Sequence, residues 1–254
     1  MNEPRVPTIF SRARRERRRA RARRRQFAPG AARYILDDIA EDMIERLAFL
    51  RHAPQRALVL GDLGGTLAAA LAAQACEVVA DPGFDPEQPW PVGDCDFIAV
   101  IGLLDAVNDL PGALIHLRGA LAPNGLAIAS FVGGASLGAL RAAMLAAEPE
   151  RPAARMHPLV DHRAAPGLLQ RAGWKDPVVD THTLSVRYSA LGTLIGDLRD
   201  QGLGSALADP PPALDKAARA RAEAAFALGA ETDGKVTERF EIVTLTGRRS
   251  LRGT

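Results

Sequence analysis

The segment from Arg56 to Asp81 constrains the fold most strongly, because it has the pattern of a complete β-α-β unit. Ala57–Leu60 is an apolar run of strand length, and the glycines that follow it indicate a turn. Leu67–Ala75 is predicted to form a helix, and Glu77–Ala80 is predicted to form a second strand. A strand, a glycine-rich turn, a helix and an acid about 20 residues further on are the layout of a dinucleotide-type binding unit.

The turn and the acid carry groups that can hold a ligand. Gly61, Gly64 and Gly65 let a ligand approach the backbone closely, and Thr66 is expected to cap the helix. Asp81 stands at the end of the second strand, where its carboxylate can accept hydrogen bonds from both hydroxyls of a ribose. The spacing is not G-x-G-x-x-G, so a glycine-rich turn without a ligand is the alternative.

The composition favours a core of aliphatic residues. The chain has 254 residues, of which 47% are hydrophobic and 5% aromatic, and this is enough for one sizeable core or two small ones. No uninterrupted apolar run is long enough to span a membrane, and the histidines show no metal-ligand spacing, so no metal site is predicted. Cys76 and Cys95 do not indicate a disulfide framework, and we therefore expect a reducing compartment, the cytoplasm.

A strongly basic segment opens the chain. Residues 1–25 contain eleven arginines and two glutamates, about +9, so the rest of a chain with net charge +2 carries about −7. We therefore divide the chain into a basic arm, residues 1–30, and a single domain, residues 31–254. Several interpretations of the run Ser11–Arg25 stay open: a solvated arm lying on the acidic body, a nucleic-acid or anionic-membrane contact, a docking site for an acidic partner, and a presequence of mitochondrial type.

A first amphipathic helix and a proline-rich loop flank the β-α-β unit. Ala32–Leu50 repeats apolar residues at three and four positions, which predicts a helix with one buried face. Its acids are interpreted as a solvated surface or as a place for the basic arm to fold back: Asp37, Asp38, Glu41 and Asp42. Pro82–Cys95 contains four prolines and is predicted to be a loop.

The remaining residues alternate between the two kinds of element. The predicted strands are Asp96–Leu104, Leu126–Phe131, Val178–Tyr188 and Val236–Thr246. One predicted helix starts at Asn108–Pro111, with Pro111 near its first turn, and continues through Ala113–Leu121. The others are Ser136–Ala147, Pro166–Ala172, Leu191–Gln201 and Ala213–Leu228. This alternation predicts an α/β fold with a doubly wound, mostly parallel sheet and an antiparallel C-terminal edge strand.

Several segments together resemble one family. Asn108–Leu114 followed by Leu117–Leu126 is similar to the S-adenosylmethionine-dependent methyltransferase superfamily. Within it, the resemblance is to the branch that holds the biotin-synthesis malonyl-carrier-protein methyltransferase and the methyltransferase-fold assembly factor of respiratory complex I. Bacterial relatives of the assembly factor share further segments, here Phe10–Arg25, Tyr34–Leu47, Leu168–Trp174, Val186–Tyr188, Asp197–Arg199 and Phe240–Gly247. The resemblance covers nearly the whole chain.

This resemblance implies a seven-stranded Rossmann-like sheet with S-adenosylmethionine lying across the carboxyl ends of its first strands. The residues that carry over by position as cofactor-binding are Gly61, Gly64, Gly65, Asp81, Gly102 and Leu103. The three glycines of the turn would lie under the methionine part of the cofactor, and the acid would hold its ribose. The last two, with the residues through Asp105, would line the side on which the methyl group is transferred.

Two departures from the family pattern bear on this site. Val59 stands where the family has an acid in the first strand, and Leu63 stands where it has a glycine. The stretch from Asp81 to Asp96 is too short for the usual helix and third strand, so that strand is predicted to be missing and the adenine pocket to be more open. Phe84 or Trp90 could stack on an adenine there, or pack against the sheet edge.

Three functions follow from the resemblance. The first is methyl transfer to an unknown acceptor, a small molecule or a protein. Because methyl transfer depends mainly on alignment, the catalytic residue is left unassigned, with Asp105, Asp109 and His116 as candidates for a base. The second is the modification or assembly of a complex I subunit. The assembly-factor relatives are associated with hydroxylating an arginine on such a subunit, and the basic arm of this chain would then dock an anionic partner. The third is a non-catalytic relative with a decayed cofactor site.

Overall fold

The computed structural model describes residues 8–79 and 81–251. In this part of the chain the strands are β1 (Arg56–Leu60), β2 (Glu77–Val79), β3 (Cys95–Ile101), β4 (Leu121–Val132), β5 (Lys175–Tyr188) and β6 (Val236–Arg248). They form one six-stranded sheet in the order β2-β1-β3-β4-β6-β5. The predicted end of the second strand, Ala80, lies outside the described residues.

The helices follow the predicted order closely. They are α1 (Arg12–Arg25), α2 (Tyr34–Phe49), α3 (Thr66–Ala73), α4 (Leu110–Ala120), α5 (Gly138–Ala147), α6 (Ala165–Arg171), α7 (Leu191–Asp200) and α8 (Lys216–Ala227). Single 3₁₀ turns occur at Leu104–Ala106 and His162–Ala164. No helix within the described ranges combines the length and the apolarity that a membrane crossing needs.

The sheet is parallel from β2 to β4 and antiparallel beyond it. This confirms the predicted α/β class and the antiparallel character of the C-terminal strand. The C-terminal strand β6 does not itself form the edge, because it lies between β4 and β5 and runs antiparallel to both. The chain passes from β1 to β2 on one side and then returns to β3 on the other, so the strand order reverses between β1 and β3. Ligands of open α/β sheets bind at such a switch point.

The loop between β2 and β3 replaces the missing strand. The described residues from 81 to 94 contain neither helix nor strand, as the four prolines predict. The rings of Phe84 and Trp90 lie 5.0 Å apart, and both side chains pack against the apolar layer that contains α4. Of the two predicted roles for these rings, the structure therefore favours packing against the edge of the sheet.

Two apolar layers cover the two faces of the sheet. Because successive strand residues point to opposite faces, Phe97 and Ala99 pack with α2, α3, α5, α7 and α8, whereas Ile98 and Val100 pack with α4 and α6. The predicted apolar face of α2 is buried, with Met43 fully enclosed. The polar edge where the parallel strands end is left between the layers.

Candidate functional site at the carboxyl edge of the sheet

The six residues assigned to the cofactor lie along one edge of the sheet. Gly61 follows β1, Asp81 lies just beyond β2, and Gly102 and Leu103 follow β3. These three strands are parallel neighbours, so their carboxyl ends meet. The topology therefore brings the turn, the acid and the β3 terminus together, as the switch point requires.

Gly61 is required by the way the two central strands approach each other. Its φ is +82°, and a Cβ built on it would collide with the carbonyl oxygen of Ile101 and lie 3.1 Å from Cγ of Leu103. Gly102, on the facing strand end, has a φ of +62°. Glycine at position 61 is thus explained by backbone packing at the switch point as well as by any ligand. Leu103 is buried in the apolar layer beside it.

The prediction that Thr66 caps α3 is wrong. The N-cap is Gly65, in a left-handed conformation, and Thr66 is the first residue of the helix. The Thr66 hydroxyl instead donates to Oδ1 of Asp37 at 3.2 Å. Oδ2 of Asp62 accepts from the backbone N–H of Ala68 at 2.9 Å, so the aspartate of the turn satisfies a free donor of the first helical turn.

Asp81, assigned to the ribose, has both carboxylate oxygens engaged. Oδ1 accepts from the backbone N–H of Gly83 at 2.9 Å, and Oδ2 forms an ion pair with Arg23 of α1. The side chain of Arg23 is 49% exposed, so the ion pair is partly open to solvent. A ribose would have to displace this guanidinium to reach the carboxylate.

The arginine run is a helix that lies on the acidic body; most of its residues are exposed, as in the solvated arm of the sequence analysis, but one face is buried. Arg15 is only 4% exposed. It donates to the carbonyl oxygen of Ala106 and to Asp85, both at 3.1 Å, and it forms a further ion pair with Glu87. Ala22 is also buried, and at the end of the helix Arg25 pairs with an aspartate of α7.

The acids of α2 are not the partners of the arginine run. Asp37 pairs with Arg33, and Asp42 pairs with Arg46 of the same helix. The acids that α1 contacts come instead from the loop after β2, the turn after β3 and the end of α7. These segments meet only in the folded chain, which is why the helical pattern of α2 could not identify them.

Residues 9 and 10, just before α1, are anchored by contacts with distant parts of the chain that the sequence did not predict. Phe10 is 6% exposed and lies edge-on to the ring of His157, with centroids 5.4 Å apart. Oδ1 of Asn108 accepts from the backbone N–H groups of Ile9 and Phe10 at 2.8 and 2.9 Å, and its Nδ2 donates to the carbonyl of Phe10. An aromatic residue directly before the basic run was the available signal.

Asp105 is the buried centre of this contact. Its side chain is 2% exposed and pairs with Arg18 at 3.2 Å, while Nε2 of His157 lies 3.6 Å from Oδ2. Burial alone would raise the pKa of Asp105, but the charge of Arg18, together with the nearby His157, lowers it to about 2. A carboxylate with so low a pKa is a weak base. Asp105 is therefore better suited to an electrostatic role than to accepting a proton.

The other two candidate bases are placed differently. Asp109 caps α4, because its Oδ1 accepts from the backbone N–H of Gly112 at 2.9 Å. His116 lies in the middle of α4, on the far side of the apolar layer from α2. Asp109 is thus occupied as a helix cap, and His116 belongs to the helix interior.

Burial also changes the acidity of the arginines on α1. Desolvation and the neighbouring charge of Arg18 lower the pKa of Arg19 to about 10, against the opposing effect of Asp81 and Asp105.

An apolar cavity of about 270 Å³ opens beside Asp105. Its wall includes Leu137, Leu140, Met144 and Ile195, with His157 at its polar end. None of the six residues assigned to the cofactor lines it. The cavity thus lies next to the switch point and is distinct from the glycine turn.

Comparison with curated proteins identifies relatives at low identity. No protein-family model matches the chain. The malonyl-[acyl-carrier protein] O-methyltransferase of Halorhodospira halophila is 29% identical over 254 residues, which covers 87% of this chain and 84% of that protein. The mitochondrial arginine-hydroxylase of Rattus norvegicus is 28% identical over 174 residues, which covers 67% of this chain and 50% of that protein. The chain therefore spans only about half the length of the arginine-hydroxylase.

Comparison with solved structures identifies the fold. One solved structure is that of a Bacillus halodurans protein assigned to the methyltransferases. It matches with a TM-score of 0.50 and 14% identity, and the match covers 77% of this chain and 92% of that protein. At this identity the likeness concerns the fold alone. The sheet order and the switch point are thus those of an established architecture.

Proposed function

We propose, from the chain's membership of the S-adenosylmethionine-dependent methyltransferase superfamily, that it binds S-adenosylmethionine at the carboxyl edge of β1, β2 and β3 and transfers the methyl group to an acceptor. One observation carries the proposal. The glycine turn after β1, the acid after β2 and the glycine after β3 converge at the switch point of the sheet, where ligands of this architecture bind.

The residues at this edge fit the cofactor in part. Gly65 has a φ of +74°, and a Cβ there would meet nothing within 4 Å, so the backbone of the turn is open on that side. Asp81 offers a carboxylate for the ribose once Arg23 moves. The cofactor supplies an activated methyl group on its sulfonium, and the chain's contribution is to hold the two reactants in line.

Ligand-dependent thermal unfolding tests this proposal. S-adenosylmethionine, or its demethylated product, at 100 times the dissociation constant should stabilise the protein by about 2.7 kcal/mol. For a chain of this size we expect the midpoint to rise by roughly 5–10 °C. An unchanged midpoint at millimolar ligand would mean that the site has decayed and that the chain is a non-catalytic relative.

Replacing Asp81 with alanine should weaken the binding of S-adenosylmethionine by roughly 1.5–3 kcal/mol, the range for a hydrogen bond to a charged group. Isothermal titration calorimetry measures the change, and Glu45→Ala, an exposed acid of α2, is the matched control. Equal affinity of the two variants for S-adenosylmethionine would mean that Asp81 does not bind the cofactor.

Replacing Arg23 with alanine should tighten the same binding, because the ribose would no longer compete with a guanidinium for Asp81. The pair is partly exposed and is therefore worth about 0–1 kcal/mol, so the gain is limited to about fivefold. Arg24→Ala, on an exposed position of the same helix, controls for the loss of charge. A weaker affinity in Arg23→Ala alone would mean that Arg23 contacts the cofactor.

A second candidate function rests on the match to the arginine-hydroxylase, which covers 67% of this chain. In that case the chain would modify, or help to assemble, a protein subunit such as one of respiratory complex I. Mass spectrometry of the reaction products distinguishes the two. Methyl transfer replaces a hydrogen of the acceptor with a methyl group, which adds the mass of a methylene, and releases the demethylated cofactor, whereas hydroxylation adds the mass of an oxygen atom.

A further inference from the structure

A groove walled by arginines lies between α1 and the end of α7 and encloses about 390 Å³. Its polar wall consists of Arg14, Arg17, Arg18, Arg21, Arg199 and Ser205. The four arginines from α1 are spaced by three and four residues, so they share one face of the helix. Arg15 and Ala22, by contrast, belong to the face that is buried on the body.

Most of the positive charge in this groove is not neutralised by the fold. Arg18 pairs with Asp105 and also donates to the carbonyl of Gly204 at 2.8 Å. Over residues 8–79 and 81–251, Arg14, Arg21 and Arg199 form no ion pair. Like charges held together repel one another, so the groove favours the binding of an anion.

Several donors in the groove also lack acceptors. The Nε atoms of Arg14 and Arg18 and the Oγ of Ser205 are enclosed, and no described residue accepts from or donates to them. A buried polar group without a hydrogen bond is unfavourable. Guanidinium groups present their donors as a fork that matches the oxygens of phosphate and carboxylate, so an oxyanion in the groove would balance the charge and could accept from the outer N–H groups of the arginines.

The groove adjoins the apolar cavity beside Asp105. Arg199, Gly204 and Ser205 line both. Together the two spaces fall within the volume range of small-molecule sites, which are mostly apolar with a few polar groups that set the orientation. A ligand that filled both would have an anionic head and an apolar body.

We propose that this surface binds an amphipathic oxyanion, a small molecule whose phosphate or carboxylate lies among the arginines and whose apolar part enters the cavity. Its binding does not depend on the cofactor. Its further role as the methyl acceptor rests on the proposed function, since the cavity adjoins the methyl-transfer side of the switch point.

Calorimetric titration of the full chain with butyl, hexyl and octyl phosphate tests the proposal. If the alkyl group enters the cavity, affinity should rise about fourfold for each added methylene until the cavity is filled. Inorganic phosphate has only the anionic head, and 1-octanol has only the apolar chain. Each should bind at least about tenfold more weakly than octyl phosphate. Octanoate in place of octyl phosphate identifies which head group is preferred.

Two single variants test the arginines. Arg199→Gln and Arg21→Gln should each weaken the binding of octyl phosphate by at least about tenfold, which is the effect of losing a hydrogen bond to a charged group. Arg24→Gln removes the same charge from α1 outside the groove and should leave the affinity within about twofold. All three positions are exposed, so the fold should survive, and each melting temperature verifies it.

Four results would overturn the proposal: no binding of octyl phosphate at millimolar concentration, an affinity that does not change with chain length, an equal loss in Arg24→Gln, or binding only to vesicles of anionic phospholipid. The same samples are melted with S-adenosylmethionine. Binding of octyl phosphate without a response to the cofactor would count against the proposed function and leave this site standing.

Discussion

Replacement of Asp105 by asparagine is expected to lower the free energy of unfolding by about 3–5 kcal/mol, the usual cost of removing one partner from a buried ion pair. The side chains of Asp105 and Arg18 are 2% and 8% exposed. The variant would therefore leave a guanidinium charge away from water, with His157 beside it and no carboxylate to balance it. Urea unfolding measures the loss.

Asp209→Asn is the matched control, because Asp209 is exposed and its replacement should change stability by less than about 0.5 kcal/mol. A double variant, Asp105→Leu with Arg18→Met, should recover part of the loss, because replacing both charges with apolar groups is often neutral. A loss in Asp105→Asn no larger than that of the control would mean that α1 does not hold Arg18 at this position in solution.

The same substitution should alter the pH dependence of stability. The pKa of Asp105 is lowered to about 2 in the folded protein, from its usual 3.8. The unfolded state therefore takes up a proton first as the pH falls, and the stabilisation is complete above about pH 4 and is lost as the pH falls towards 2. The parent protein should lose stability more steeply than Asp105→Asn between pH 4 and 2, measured by urea unfolding across that range.

Replacement of Gly61 by alanine is expected to lower the free energy of unfolding by about 2–5 kcal/mol. Part of the cost is the left-handed backbone, with a φ of +82°, and the rest is the collision of the new methyl group with the carbonyl of Ile101. Relief of that collision would require β1 and β3 to move apart at the point where the cofactor is proposed to bind.

Gly65→Ala separates these two costs. Gly65 is also left-handed, with a φ of +74°, but a Cβ there meets nothing within 4 Å. Its replacement should cost only about 1–2 kcal/mol for the conformation. Equal losses in the two variants, measured by chemical unfolding, would mean that the strand ends separate easily and that close packing does not require Gly61.

Much of the architecture could be predicted because its signals are local. The apolar run of β1, the glycines after it and the periodic face of α2 identify their elements within a few residues of sequence. Four prolines between β2 and β3 predicted a loop, and the shortness of this segment relative to the family pattern predicted that the usual third strand is missing. The edge strand was misassigned because pairing order is not a local property: β6 inserts between β4 and β5, and alternation along a strand does not say which neighbours it has.

The surroundings of the candidate site could not be predicted in the same way. The sequence shows that Arg18 and Arg23 belong to a charged run and that Asp81 follows a strand, but it does not show that the run covers the strand ends. Arg23 and Asp81 are 58 positions apart, and Arg18 and Asp105 are 87 apart. A charge run has no periodic signal that names its partner.

Local signals were enough to predict the order of the elements and the glycine turn at the switch point, because each depends on backbone propensity or on the spacing of neighbouring residues. The short segment after Asp81, compared with the family pattern, predicted that one strand is missing. The acids that α1 contacts, the arginines that stay unpaired and the position of the apolar cavity beside them become visible only in the folded chain. The physical reason is that these contacts join the carboxyl ends of β2 and β3 to α1 and α7, and such groups interact only after the sheet has assembled.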